Sequence, residues 1–355
     1  MEGLGMIQSE FWHGKRVLLT GHTGFKGGWL ALWLKKMGAV VTGIALPPNT
    51  SPNLFELAQV GAEIQSYFCD IRDASALASI MRNARPEIVF HLAAQPLVRS
   101  SYIAPLDTYS TNLMGTANFL DALRGLDGVR AAVMVTTDKV YRNIDKSYPF
   151  REDDVLGGHD PYSASKAASE LVINSYREAF LADQGVAVAS ARAGNVIGGG
   201  DWSQDRLLPD AVRAWQSGQT LNVRSPESTR PWQHVLEPLA GYLTLAQKLC
   251  EKPMLAGAYN FGPQSHEATT VRQLVEMART VYGTGDVFYG HPAGPHEAGW
   301  LSLEVSKTRF ALGVSPKWSL AETVGRTMTW YRELYRGANV QRMCELEISA
   351  YMDLL

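Results

Sequence analysis

Short apolar runs alternate with helical stretches through the first half of the chain. Residues 17–20 (VLLT), ending at Gly21, predict a buried first strand. A helix over 29–37 follows, and Gly38 closes it. Residues 40–46 predict a second strand, stopped by Pro47-Pro48. The alternation continues with a strand at 64–68, a helix at 74–83, a strand at 88–92 (IVFHL), a helix at 113–123, a strand at 131–136 (AAVMVT), a long helix at 162–180 and a strand at 186–191. Strands that are apolar throughout and joined by helices predict a parallel, doubly wound α/β sheet covered on both faces. Ligands of such sheets bind at the carboxyl ends of the strands.

The pattern breaks after Asn195. Three glycines at 198–200 and a stretch rich in Pro, Arg and Trp up to Pro231 read as loop, with one helix near 209–217. A helix at 238–248 and a strand at 258–261 read as a return to the first sheet. From about Gly262 onward, helices and loops mix, which predicts a smaller mixed α/β lobe. The expected division is residues 1–195, with a return segment at about 233–262, as one domain. Residues 196–232 and 263–355 form the second. The tail after Gly337 carries apolar residues and is expected to pack, with no location assigned.

Composition narrows the class. The chain has 355 residues, 46% of them hydrophobic and 19% charged, as in an ordinary soluble globular protein. A net charge of −2 advertises neither a nucleic-acid nor a membrane surface, though a local basic pocket remains compatible with it. Cys69, Cys250 and Cys344 are scattered and in no metal-type spacing, which favours a reducing cytoplasm over a disulfide framework. The first sixteen residues lack the basic and apolar regions of a signal peptide, and no apolar run approaches membrane-spanning length. His91, His234 and His296 form no metal-ligand set and read as structural histidines.

Chemistry enters at Gly21-His-Thr-Gly24-Phe-Lys-Gly27, between the first strand and the first helix. Glycines there permit a tight turn and close approach of backbone to a pyrophosphate, while the helix N-terminus offers free N–H groups. The spacing is GxxGxxG rather than GxGxxG, a weak signal alone, and a Gly-rich turn without ligand is the bland reading. The second strand ends without the acid that usually holds a dinucleotide ribose, so that position does not separate NAD from NADP. Asp70, after the third strand, is a candidate for the adenine amino group, or a surface turn acid.

Tyr162 and Lys166 (YSASK) lie four apart on one helix face. A phenol of pKa ~10 is a poor base at neutral pH, but a neighbouring ammonium and a nicotinamide cation favour the phenolate. The pair then takes a proton from a carbinol as its hydride leaves to the cofactor. Thr137-Asp138-Lys139 follows the strand AAVMVT and so sits at a carboxyl end. Thr137 is a candidate for the substrate hydroxyl, Asp138 for an acid, and Lys139 for a base or an orienting cation. Their bland reading is a solvated turn.

In order, GHTGFKG, CDIRD, FHLAAQ, NLMGT, TTDK, YSASK, RAGNVIGGGD and YNFGP resemble the extended short-chain dehydrogenase/reductase family over most of the chain. Within it the chain looks most like the nucleotide-sugar 4,6-dehydratases, and among these the branch acting on CDP-glucose, through GHTGFKGGWL, TTDKVY, GNVIGGGDW, DRLLPD and RPWQHVLEPL. The resemblance implies a Rossmann-type fold, bound NAD and a homodimer or homotetramer. By match, the cofactor is held by Gly21, Thr23, Gly24, Phe25, Lys26 and Gly27, by Asp70 and Ile71, by Leu92, Ala93 and Ala94, and by Tyr162 and Lys166. Substrate is held by Gln95, Thr137, Asn195, Arg206 and Arg230, with Trp232 either a wall for the base or core. Most 4,6-dehydratases carry Glu after the catalytic Asp, as the base that removes the C5 proton. Here that position is Lys139, as in the CDP-glucose branch, and a neutral lysine serves if neighbours depress its pKa.

Two rival readings share these motifs. A nucleotide-sugar 4-epimerase or decarboxylase has the same glycine loop and Tyr–Lys pair but usually a small hydroxyl residue where Asp138 stands. A dinucleotide-sensing protein without activity typically lacks the Tyr or the Lys.

Overall fold

A computed structural model describes residues 7–144, 148–264, 267–291 and 300–355, so His296 lies outside the described residues. Seven parallel strands form the central sheet: β1 (Arg16–Thr20), β2 (Val40–Ala45), β3 (Gln65–Phe68), β4 (Ile88–His91), β5 (Ala131–Val135), β6 (Ala187–Ala193) and β7 (Gly257–Phe261). Their order is β7-β6-β5-β4-β1-β2-β3, so the direction of winding reverses between β1 and β4. This is the expected doubly wound sheet. Its crevice opens outside the carboxyl ends of β1 and β4, where connections depart to opposite faces.

Burial explains which runs became strands. The residues of β4, β5 and β6 are buried throughout, as a central parallel strand must be, whereas β3 at the edge is largely exposed. Alternate side chains feed two cores. Val17, Leu19, Ile88 and Phe90 join one face with Trp29 and Trp33. Leu18 and Val89 join the other with Phe119 and Leu120.

The longer helices are α1 (Phe25–Lys36), α2 (Ala74–Ala84), α3 (Gly115–Leu123), α4 (Pro161–Tyr176), α5 (Leu207–Gln216), α6 (Leu236–Glu251), α7 (Val271–Tyr282), α8 (Leu320–Tyr335) and α9 (Val340–Met352). Helix α1 starts at Phe25, ahead of the expected residue 29, because Gly27 and Gly28 are weak helix formers held helical by tertiary contact. A π-type turn, Ser110–Met114, precedes α3, and another, Arg177–Leu181, follows α4. Asp160 caps α4 through Ser163 N–H, with Pro161 in the first turn, which sets where Tyr162 emerges.

Beyond the sheet, short strand pairs build the remaining structure: Leu221–Val223 with Val287–Tyr289, Thr229–Arg230 with Thr269–Thr270, and Val196–Ile197 with Gln233–His234. The tail has a definite place. Helix α9 packs on α1, with the Tyr351 ring edge-on to Trp33 and Trp318. The Tyr351 hydroxyl donates to Glu237 Oε2 at 2.5 Å, and the same carboxylate accepts from the N–H groups of Lys317 and Trp318. Replacing Tyr351 by Phe removes one buried charge-assisted donor and is expected to destabilise the chain by ~1.5–3 kcal/mol. A urea midpoint equal to wild type would show that the tail is not anchored there.

Candidate active site

A cavity of about 890 Å³ lies at the carboxyl ends of β1, β4, β5 and β6. Gly21 through Gly27 form one wall of it, apart from His22. Asp70 and Ile71 after β3, and Leu92, Ala93 and Ala94 after β4, form a second. Thr137, Asp138, Lys139, Tyr162 and Lys166 line it together, as do Asn195, Arg206 and Arg230. Gln95 departs from expectation: it does not line the cavity. Its amide donates to Thr108 Oγ1 at 2.9 Å and its oxygen accepts from Leu97 N–H at 2.6 Å, so the side chain shapes its own loop.

The glycines have a steric cause. Gly21 sits at φ +80°, and a Cβ there would stand 2.9 Å from Ala93 N. A Cβ on Gly27 would stand 2.0 Å from the Gly21 carbonyl oxygen. Thr20 Oγ1 accepts from Leu92 and Ala93 N–H at 3.1 Å each, tying the two loops of the crevice together. No side chain caps the N-terminus of α1, so its first N–H groups remain for an anion. The His22 imidazole occupies the space over Gly43, where a Cβ would stand 2.5 Å from the ring, and it pairs with Ser66 Oγ at 2.7 Å. Burial lowers its pKa to about 4, so the ring is neutral at pH 7. Asp70 accepts from Arg72 on both carboxylate oxygens, and this hydrogen bonding holds its pKa below the usual range.

Tyr162 and Lys166 are both buried on the inner face of α4. Burial pushes the Tyr162 phenol up to about 12, opposed by a hydrogen bond with Thr137 and by the charge of Arg206. Burial lowers Lys166 to about 8, opposed by Glu170 one turn along, and its ammonium donates to the Val135 carbonyl at 3.4 Å. At neutral pH the pair is therefore phenol and ammonium, and a further positive charge in the cavity is required to release the phenolate.

Asp138 is 1% exposed. Its Oδ1 accepts from Thr137 Oγ1 at 3.0 Å and from Lys139 Nζ at 3.2 Å. Its Oδ2 is buried with no protein partner, and it lies where a Cβ on Gly194 would be 3.3 Å away. A buried carboxylate oxygen without a donor is rare in a folded protein and marks Asp138 as a candidate functional group. The turn that presents it is fixed from below. Glu170 Oε1 accepts from Thr136 Oγ1 at 2.5 Å, and Oε2 from Ser190 Oγ at 2.7 Å and Arg192 at 2.8 Å. Arg192 also donates to the Tyr141 hydroxyl at 2.9 Å, which donates to Asn260 Oδ1 on β7.

Sequence reasoning missed this Glu170–Arg192 pair, whose two members come from α4 and β6. It also missed Asn112, which donates to Ser165 Oγ at 2.9 Å within the π-type turn; its motif NLMGT was the available signal. Lys26 proves unusual. It donates to Tyr242 on α6 at 3.3 Å, and burial, followed by the charge of Arg206, lowers its pKa to about 7. His91 is a structural histidine. Thr20 donates to its Nδ1 and its Nε2–H points to Thr116, while burial lowers its pKa to about 3. Among the described residues no His, Cys, Asp or Glu cluster suits a metal ion.

A family model described as GDP-mannose 4,6 dehydratase matches residues 18–327. The CDP-glucose 4,6-dehydratase of Salmonella typhimurium is 46% identical over 354 residues, spanning 98% of this chain and 99% of that protein. The UDP-glucose 4-epimerase of Mycolicibacterium smegmatis is 27% identical over 89% of this chain and 98% of its own. Among solved structures, the UDP-glucose 4-epimerase of Thermotoga maritima with UDP-glucose superposes with a TM-score of 0.78 at 24% identity, covering 90% of this chain and 99% of that one. MoeE5 in complex with UDP-glucuronic acid and NAD gives 0.75 at 24%, covering 90% and 100%. At these identities the structures establish the fold.

Gly27→Ala puts a methyl group into the Gly21 carbonyl and must displace the N-terminus of α1. Its affinity for NAD, measured by equilibrium dialysis, is expected to fall at least tenfold, while an unchanged affinity would remove this turn from the dinucleotide site.

Proposed function

The chain belongs to the extended short-chain dehydrogenase/reductase family, in its nucleotide-sugar epimerase and dehydratase branch, and we propose that it is a CDP-D-glucose 4,6-dehydratase working with bound NAD. The observation that carries the dehydratase reading is the buried, half-unpartnered carboxylate of Asp138 beside the Tyr162–Lys166 pair. Oxidation at C4 alone needs the pair; expelling water also needs an acid. The CDP assignment rests on the 46% likeness over nearly the full chain.

The cavity fits a dinucleotide. The uncapped start of α1 and the Gly21–Gly27 cradle suit a pyrophosphate. Leu46, Pro47, Pro48, Asn49 and Thr50 line the cavity after β2, and none of these five is a Lys or Arg suited to the extra phosphate of NADP. When bound, NAD supplies a hydride acceptor that takes hydrogen from C4 and returns it to C6.

The chain's own residues do the proton work. Tyr162 takes the C4 hydroxyl proton, with Lys166 stabilising the phenolate and Thr137 orienting the hydroxyl. The resulting 4-ketone acidifies the C5 proton, which Lys139 removes, while Asp138 protonates the C6 hydroxyl and water leaves. Lys139 then returns a proton to C5 as hydrogen reaches C6, and the proton that Tyr162 took from the C4 hydroxyl makes good the one Asp138 gave to the departing water. An amine and a carboxylic acid hold the same number of protons as the ion pair in the empty cavity. The product, CDP-4-keto-6-deoxyglucose, feeds deoxysugar supply for surface polysaccharide.

The protein works as a homodimer in the cytoplasm on this reading. Ile103, Leu106, Met114, Leu171 and Phe180 are exposed apolar residues on or beside the helices around α3 and α4, an apolar area that a second copy suits. No helix among the described residues is long and apolar enough to cross a membrane, and all three cysteines are free.

Incubation with CDP-glucose is expected to give the alkali-induced chromophore of a 4-keto-6-deoxy sugar, and CDP-galactose as product would overturn the dehydratase reading. Asp138→Asn should still oxidise C4 yet release at least a hundredfold less product, whereas Lys139→Met should slow exchange of the C5 hydrogen with solvent. Equal loss of both half-reactions in Asp138→Asn, or normal exchange in Lys139→Met, would reassign those residues. Sedimentation velocity should show two chains for wild type and one for Leu106→Glu/Leu171→Glu; a wild-type monomer would contradict the dimer.

A further inference from the structure

Three charged side chains on the rim of the large cavity take no part in the chemistry described above. Asp205 Oδ1 lies 3.4 Å from Arg99 Nη1 and 3.5 Å from Arg224 Nη2. Arg99 belongs to the short helix Val98–Ile103 that follows β4, on the dinucleotide side. Arg224 comes directly after Leu221–Val223, on the opposite lobe. All three residues line the cavity, alongside Arg206. One carboxylate oxygen thus bridges guanidinium groups from two walls, the arrangement a phosphate oxygen takes when two arginines clamp it.

The contact is built to be given up. Its distances exceed the ~2.7–2.9 Å of a formed charge-assisted hydrogen bond. Arg99, Asp205 and Arg224 are 32%, 41% and 41% exposed, so solvent screens the attraction. Asp205 also holds a left-handed backbone, φ +57°, a region that Asp and Asn enter more readily than other non-glycine residues. Bringing a carboxylate to two arginines at such distances makes sense if something better matched replaces it.

We propose that Asp205 is a built-in stand-in for a substrate phosphate, holding Arg99 and Arg224 across the cavity mouth until the diphosphate of the nucleotide sugar takes them over. This rests on the nucleoside-diphosphate substrate argued above. The diphosphate carries two negative charges and several oxygens, so each guanidinium gains a closer partner when it leaves Asp205. Because Arg99 and Arg224 come from opposite walls, their transfer ties the two lobes together around bound substrate. Asp205 then competes with substrate at the same two cations, and its charge opposes binding.

Calorimetric titration of the NAD-loaded protein with CDP, UDP and cytidine tests this. Asp205→Asn keeps a residue at ease in the left-handed backbone and should bind CDP at least threefold more tightly. Arg99→Met should bind CDP at least tenfold more weakly, with cytidine, which has no phosphate, bound as in wild type. Asp205→Asn binding CDP no more tightly, or Arg99→Met losing CDP and cytidine alike, would overturn the proposal. If the same pattern appears with UDP and not with CDP, the clamp stands and the base assignment falls. If the wild-type protein binds neither diphosphate, both fall.

Discussion

A buried carboxylate with one oxygen unpartnered costs on the order of several kcal/mol, and the structure around Asp138 exists to keep it in place. Oδ1 is satisfied by Thr137 and Lys139, while Oδ2 is buried against Gly194 with no partner. The turn carrying it leaves β5, a strand buried along its whole length between β4 and β6. Glu170 grips that turn through Thr136 and is gripped in turn by Ser190 and Arg192. The energy stored at one oxygen is thus offset by a hydrogen-bonded network spread over α4, β5 and β6, which turns an unfavourable position into a prepared one.

Electrostatics extends the same logic. Lys26, Lys139, Lys166 and Arg206 crowd one cavity in a chain whose net charge is −2. Burial, with these mutual repulsions, brings Lys26 down to about 7. Two phosphate-bearing ligands relieve that crowding. The basic character of the protein is local, and the whole-chain charge hides it.

Much of this was legible in the sequence because the signals are local. The βα alternation, the turn from Gly21 to Gly27 and the four-residue step from Tyr162 to Lys166 each fall within a few residues, and local rules cover them. The start of α1 was misplaced because Gly27 and Gly28 are helical only through contact with the Gly21 turn and Leu54. Gln95 was assigned to substrate by its place in a motif, but its amide is taken by its own loop. Arg192, Asp205, Arg99 and Arg224 were illegible for one reason. Their partners lie on other elements, and ordinary charged residues gain their roles only when the sheet brings those elements together. The tail helix, anchored by Tyr351 on Glu237, belongs to the same class.

The central claim is that hydrogen removed from C4 is lent and returned, with Asp138 and Lys139 expelling water in between. Conversion of CDP-glucose deuterated at C4, followed by NMR of the product, tests it most directly. The account predicts deuterium in the C6 methyl group of a 4-keto-6-deoxy sugar. Deuterium retained at C4, or washed out into solvent, would contradict it.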